Sequence, residues 1–265
     1  MNICIPKERR PFEFRVGMTP VGTEALIRHG HTVYVEHEAG LGAGFNDQDY
    51  ERAGARLVYS PQEIFGRADL LLKVARPLME EFEWLQEGAV VTGLLHMSST
   101  RQDKIDIMKK KGITAIAYEQ IQASDGNWPI RKPLSQIGGK LAAQISARLL
   151  QNNSGGKGIM LSGMPGVPPA EVVVIGAGLV GTNATAGFVG MGAHVTVIDR
   201  DLNALQRIYE RYPGAATVMA SPRTIGKSCS YADILVGAIF TPGEATEIVV
   251  TREMVRSKAS WIRRT

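Results

Sequence analysis

The sequence predicts an α/β protein made of two parallel-sheet units with a cleft between them. Three observations carry this. Short β-rich runs alternate with helical patterns from one end of the chain to the other, which is the signature of parallel architecture. A length of 265 residues suits one large domain or two ordinary ones, each able to bury a core. Hydrophobic residues at 44% and charged residues at 21% match an ordinary globular chain.

In the first unit, strands are expected at Asn2–Ile5, Thr32–Glu36, Ala68–Val74, Ala89–Leu95 and Thr114–Tyr118. Between the first two, Thr19 reads as an N-cap with Pro20 at the first helical position, and Gly30 stops that helix after His29. The unit closes near Asn127. A long helix follows Pro133, with Ser135 as a candidate cap and Ile137, Leu141, Ile145 and Leu149 recurring on one face. The Gly- and Pro-rich run Ser154–Ala170 reads as a domain connection.

The second unit opens with the continuous apolar run Glu171–Ile175, as expected of a central parallel strand. A helix over 180–191, a strand over 194–198, a helix over 202–211 and a strand over 234–239 complete the reading. Residues 1–130 thus form one domain and 131–265 the other.

Composition narrows the function. The 30 Lys and Arg against 26 Asp and Glu give a net charge of +4, but the basic residues are dispersed. Only Lys258, Arg263 and Arg264 make a locally cationic tail, which reads as solvated, so no nucleic-acid partner is expected. Two cysteines, Cys4 and Cys229, exclude a disulfide scaffold and a zinc cluster. No run approaches the ~20 apolar residues of a membrane span, and MNICIPKERR has its charges after its apolar residues, the reverse of a signal peptide. A cytoplasmic location is expected.

The motif with the clearest chemistry is Gly176-Ala177-Gly178-Leu179-Val180-Gly181. A lone G-x-G-x-x-G is weak in a chain with 29 glycines, but this one follows an apolar strand, opens a helix and precedes an acid, Asp199, at the end of the next strand. Gly176 permits the tight turn, Gly178 lets a pyrophosphate approach the backbone, and Gly181 lets helix and strand pack closely. The helix start offers unpaired N–H groups to the anion. Asp199 suits two ribose hydroxyls and repels a 2′-phosphate, favouring NAD over NADP, although the adjacent Arg200 softens that repulsion. The alternative is a tight turn with no ligand. This unit is Rossmann-like.

Three residues of the first unit are candidates for the reacting end. His96 closes VVTGLLH at the end of a strand where α/β proteins place ligands, and reads either as a proton carrier or as a capping histidine. Arg15 reads either as a carboxylate clamp or as a solvated surface arginine. Lys73, inside the apolar run ADLLLKVA, must snorkel out or be paired.

Taken with IPKE, FRVGMTP, GHTVYVEHEAGLGAGF, AIAYEQI, DGNWPIRKPLSQIGGKLAAQ and MPGVPPAEVVVIGAGLVGTNA, these residues make the chain resemble the alanine dehydrogenase family, which shares its fold with the N-terminal part of nicotinamide nucleotide transhydrogenases. AIAYE, PLSQIGG and GVPPA look like the dehydrogenase branch. The resemblance implies NAD-dependent, reversible conversion of L-alanine to pyruvate and ammonium by a homo-oligomer, a hexamer in the family. It implies that Arg15 holds substrate and His96 carries the proton. It also implies cofactor contacts at Ser135, Asp199 and Ser221, with Ile239 and Phe240 packing the cofactor.

Two departures from the family stand out. Its strand typically reads K-V-K-E-P with the second lysine on substrate, and here Lys73-Val74-Ala75-Arg76-Pro77 puts alanine there. Lys73 is expected on the same strand face but ~6.5 Å further back. Family members also continue for on the order of a hundred residues, the scale of a domain, carrying a catalytic aspartate, where this chain reads KASWIRRT and stops. The second unit is therefore expected to be truncated, with about four strands in place of six. An inactive homologue that at most binds NAD, or a transhydrogenase-like binding module, is the competing expectation.

Overall fold

A computed structural model of the chain describes residues 1–240 and 246–256. The cationic tail at Lys258, Arg263 and Arg264 lies outside the described residues. Two compact units divide the chain, Met1–Trp128 and Pro129–Thr265.

The first unit runs β1 (Asn2–Ile5), α1 (Pro20–Arg28), β2 (Thr32–Glu36), α2 (Asp47–Arg52), β3 (Arg56–Val58), α3 (Pro61–Gly66), β4 (Leu70–Ala75), α4 (Met79–Trp84), β5 (Val90–Leu94), α5 (Gln102–Lys110) and β6 (Thr114–Ala117). Its six strands lie in the order β3-β2-β1-β4-β5-β6, and every pairing is parallel. This is the doubly wound order, with the chain reversing direction across the sheet between β1 and β4.

Strand alternation builds two cores on the two faces of this sheet. Ile3 and Ile5 of β1 join Val33, Val35 and Leu72 with Tyr50 from α2. Cys4 points the other way, with Leu71 and Val91, toward Ile64 and Phe65 of α3. Burying a side chain such as Phe65 contributes roughly 2–3 kcal/mol.

Helix starts follow local chemistry. The Thr19 hydroxyl accepts from the Gly22 N–H and Pro20 opens α1, while Gly30 ends it at φ +83°. Asn46 and Asp49 form a reciprocal capping box on α2. β3, only three residues long, has too little alternation to stand out in the sequence.

The second unit runs α6 (Arg131–Leu149), β7 (Glu171–Ile175), α7 (Leu179–Gly190), β8 (His194–Asp199), α8 (Leu202–Arg211), β9 (Ala215–Met219), α9 (Pro222–Tyr231) and β10 (Ile234–Gly237). Its four strands lie in the order β10-β7-β8-β9, all parallel. Val172, Val174, Val195 and Val197 face Phe188, Leu205 and Ile208 on one side. Val173, Ile175 and Ile198 face Ile225 and Cys229 of α9 on the other. Residues 154–170 connect α6 to β7 within this unit. The boundary between the units falls instead at Trp128, where no Gly-rich run marks it.

α6 corrects one expectation and shows which of its faces is buried. It begins at Arg131, so Ser135 lies inside the helix and caps nothing. Its buried side is the small one. Gly139 and Ala143 are buried, and a Cβ on Gly139 would sit 2.4 Å from the Val180 carbonyl oxygen of α7. Small residues let α6 and α7 approach closely, and the bulky stripe is left outside, with Ile137 and Ile145 each 55% exposed.

Candidate functional site

The carboxyl ends of the strands gather the sequence-predicted residues in each unit. In the second, the chain leaves β7, makes the Gly176–Gly178 turn and enters α7 beside the point where β10 crosses to the opposite side of β7. Parallel sheets leave a ligand crevice at such a reversal.

The three glycines of the motif play distinct parts. Gly176 has φ +107°, and a Cβ there would lie 2.5 Å from the Ala238 carbonyl oxygen just past β10. A Cβ on Gly181 would lie 1.7 Å from the Gly176 carbonyl oxygen, so α7 seats against the turn only without a side chain. Gly178 differs, because a Cβ there would meet nothing within 4 Å among the described residues. Gly178 is the N-cap of α7, and among the described residues no side chain caps that helix start. The first-turn N–H groups, from Leu179 through Gly181, are therefore uncovered by any described side chain, which fits a phosphate group.

Asp199 closes β8. Its Oδ2 accepts the Ala177 N–H at 2.5 Å and its Oδ1 accepts the Asp201 N–H at 2.8 Å. The carboxylate is thereby fixed beside the turn while each oxygen keeps further lone pairs for hydroxyl donors. Arg200 is exposed next to it. Ser221 follows β9 as the N-cap of α9, in a capping box with Thr224 and with Pro222 at the first helical position. Ile239 packs onto the α9-side core after β10, and the Phe240 ring lies under the Arg131 guanidinium at 4.6 Å. Ser135 is half-buried on α6.

In the first unit, Arg15 lies in the loop after β1 and His96 just past β5. The Arg15 fork is engaged by Glu13, Nε donating to Oε1 at 2.7 Å and a terminal nitrogen to Oε2 at 2.6 Å. That hydrogen bond holds the Glu13 carboxyl below the usual carboxylate range.

His96 is exposed and stands at φ +47°, ψ +52°, a conformation rare outside glycine. Its backbone N–H donates to Glu119 Oε1 at 2.6 Å. Glu119 is buried, and its Oε2 has no hydrogen-bond partner among the described residues. Sequence reasoning missed Glu119, though a carboxylate at the end of a strand beside the histidine strand was the available signal.

Lys73 is 1% exposed, and its ammonium lies 3.1 Å from Glu8 and 3.0 Å from Glu81. It is the paired alternative, not the snorkelling one. Glu8 in turn accepts the Val74 N–H at 2.7 Å and the Ala75 N–H at 3.3 Å, where β4 shifts register against β5. Glu81 also accepts the Leu78 N–H at 2.6 Å. Lys73 therefore fixes the carboxyl end of β4 from behind.

Fold and site together define an α/β protein of two doubly wound sheets, one carrying a dinucleotide-type glycine turn with its acidic partner. Comparison with known proteins then gives the family. The model described as "Alanine dehydrogenase/PNT, N-terminal domain" matches residues 4–138, and "Alanine dehydrogenase/PNT, C-terminal domain" matches residues 142–260. The alanine dehydrogenase of Methanococcus maripaludis is 41% identical over 97% of this chain and 69% of its own length. That of Bacillus subtilis is 40% identical over 97% of this chain and 67% of its own.

A solved L-alanine dehydrogenase superposes with a TM-score of 0.84 at 36% identity, covering 97% of this chain and 71% of that one. A transhydrogenase from Sinorhizobium meliloti gives 0.72 at 28% identity, covering 97% and 75%. The chain belongs to the alanine dehydrogenase/PNT family.

Proposed function

We propose that the chain is an NAD-dependent alanine dehydrogenase, taking L-alanine and water to pyruvate and ammonium, and running in reverse. The observation that carries the cofactor assignment is the open, uncapped start of α7 at Gly178 beside the fixed Asp199 carboxylate. The substrate assignment is supported by the family and by relatives named alanine dehydrogenase at about 40% identity.

NAD, when bound, supplies the acceptor for the hydride leaving the substrate carbon. The protein's own groups do the rest. Gly178 with the N–H groups of Leu179, Val180 and Gly181 holds the pyrophosphate, and Asp199 accepts the ribose hydroxyls with Arg200 at its edge. Ser221, Ile239 and Phe240 line the adenosine and packing positions, and Ser135 lies near the cofactor. Arg15 orients the substrate carboxylate through its planar fork, exchanging Glu13 for it. The His96 imidazole takes a proton from the substrate side as the C–N bond is converted, and returns it in the reverse direction. Lys73 supports the substrate end through Glu8 and the β4 amides. The same reading puts the protein in the cytoplasm as a homo-oligomer, a hexamer by resemblance.

A second reading is favoured by one residue. Ala75 occupies the place where the family typically has a substrate-contacting lysine, which supports an NAD-binding homologue without turnover. NADH oxidation by the purified chain with pyruvate and ammonium tests both. Ammonium-dependent turnover that is lost in His96→Ala supports the dehydrogenase. NAD binding by a folded sample without turnover supports the second reading, and neither binding nor turnover overturns both.

A further inference from the structure

We propose that Arg10, Arg76 and Lys104 form a binding site for a small oxyanion, a phosphate or carboxylate group, at the carboxyl end of the first sheet. Arg76 is the residue immediately after β4, and Arg10 lies in the loop after β1. These are the two strands between which the sheet order reverses, where parallel sheets leave ligands. Arg10 reaches over so that its Nε donates to the Arg76 carbonyl at 3.0 Å. Lys104, in the first turn of α5, sends its Nζ to the Pro77 carbonyl at 2.7 Å. Two cationic side chains are thus pinned on consecutive carbonyls, and the side chain of Arg76 springs from the same stretch.

All three cations are half-buried, and none forms an ion pair with a carboxylate among the described residues. The nearby Asp103 carboxylate is paired with Arg101 at 2.5 Å. Burial, and then the charges of Arg10 and Arg76, hold the Lys104 ammonium below its usual range, so the three groups sense one another. The Asp103 carboxylate offsets part of this charge, and the remaining like charges raise one another's energy, which an anion placed among them reverses. Guanidinium forks match the oxygens of phosphate and carboxylate. Satisfying backbone carbonyls accounts for Arg10 and Lys104. It does not account for Arg76, whose guanidinium donates to no described residue. The site is independent of the dehydrogenase reading.

The test is a titration of isotope-labelled full chain with sodium phosphate, followed by amide shifts, with ionic strength held constant by sodium chloride. Saturable shifts at Arg76 and Lys104 are expected. Arg76→Gln is expected to weaken them about tenfold, the scale of one lost charge-assisted contact. That substitution breaks no side-chain hydrogen bond among the described residues, and an unchanged spectrum elsewhere checks the fold. Phosphate taken up at the start of α7 shifts Leu179 to Gly181 instead, and Arg76→Gln leaves those shifts unchanged. A parallel titration with sodium succinate separates the phosphate from the carboxylate source, and saturation by either supports the site. Non-saturating shifts with both anions, or wild-type affinity retained by Arg76→Gln, overturn it.

Discussion

Two glycines of one motif separate folding from binding. In Gly181→Ala the new methyl would start 1.7 Å from the Gly176 carbonyl oxygen, so α7 must move away from β7. Overpacking of this kind costs about 1–3 kcal/mol. For a unit of this size each kcal/mol moves the melting temperature by about 2–4 °C, so the variant should melt roughly 2–12 °C below wild type. In Gly178→Ala the methyl meets no described residue within 4 Å, at a φ of −71° that any residue adopts. Its unfolded chain is less flexible, so stability should hold or rise by about 0.4–1 kcal/mol. The same methyl fills the space a pyrophosphate needs, and NAD affinity should fall at least about tenfold, or 1.4 kcal/mol. Thermal melts by circular dichroism and NAD titration by calorimetry read the two quantities separately. Gly178→Ala binding NAD like wild type, or Gly181→Ala melting together with Gly178→Ala, would refute the reasoning.

Four further outcomes follow from the same geometry. Asp199→Asn keeps an oxygen for the Ala177 N–H but loses the charge, so the preference for NAD over NADP should narrow by about tenfold or more. Paired titrations with the two cofactors check it. Lys73→Met leaves the buried Glu8 carboxylate without an ion-pair partner among the described residues, and Glu81 with only Arg9 at 3.6 Å, and should cost about 3–5 kcal/mol in urea unfolding; a loss below about 1 kcal/mol contradicts the buried pair. Glu119→Ala removes the acceptor that holds His96 in its left-handed conformation and should cost about 1–3 kcal/mol. It should depress ammonium-dependent turnover while leaving NAD affinity unchanged. Arg15 lowers the Glu13 pKa, so the stability of that pair is present above the ordinary carboxylate range and is lost as pH falls through the depressed folded value. In Arg15→Ala the Glu13 carboxyl, followed by NMR, should titrate at higher pH than in wild type; an unmoved titration denies the pairing.

Local signals carried much of this fold. Thr19-Pro20, the EVVVI run and the glycine motif each act through neighbours a few residues away, and the structure has α1, β7 and α7 there. What stayed illegible depends on partners distant in the chain. The Ile137–Leu149 stripe repeats at helical spacing, but periodicity gives a face and not the direction it points. Gly139 and Ala143 took the inner position because only small residues admit α7 so closely. Lys73 read as ambiguous because Glu8 reaches it from the loop after β1 and Glu81 from α4. β9 and α9 were missed: Ala215–Met219 alternates weakly, and the Ser221-Pro222 start of α9 is its main local mark.

The parallel ladders also bear on how the chain becomes a protein. Neighbours such as β1 and β2, or β7 and β8, pair residues close in sequence, Ile3 with Val33 and Val172 with Val195. The pairings at the two reversal points are far longer in reach, Ile3 with Leu70 and Val172 with Ile234. Closing those loops costs more chain entropy and slows folding. The strand pairs that create each crevice thus carry the largest loop-closure cost of their sheets. A ligand that spans β7 and β10 would act as a clasp on that long-range seam and stabilise it against local opening.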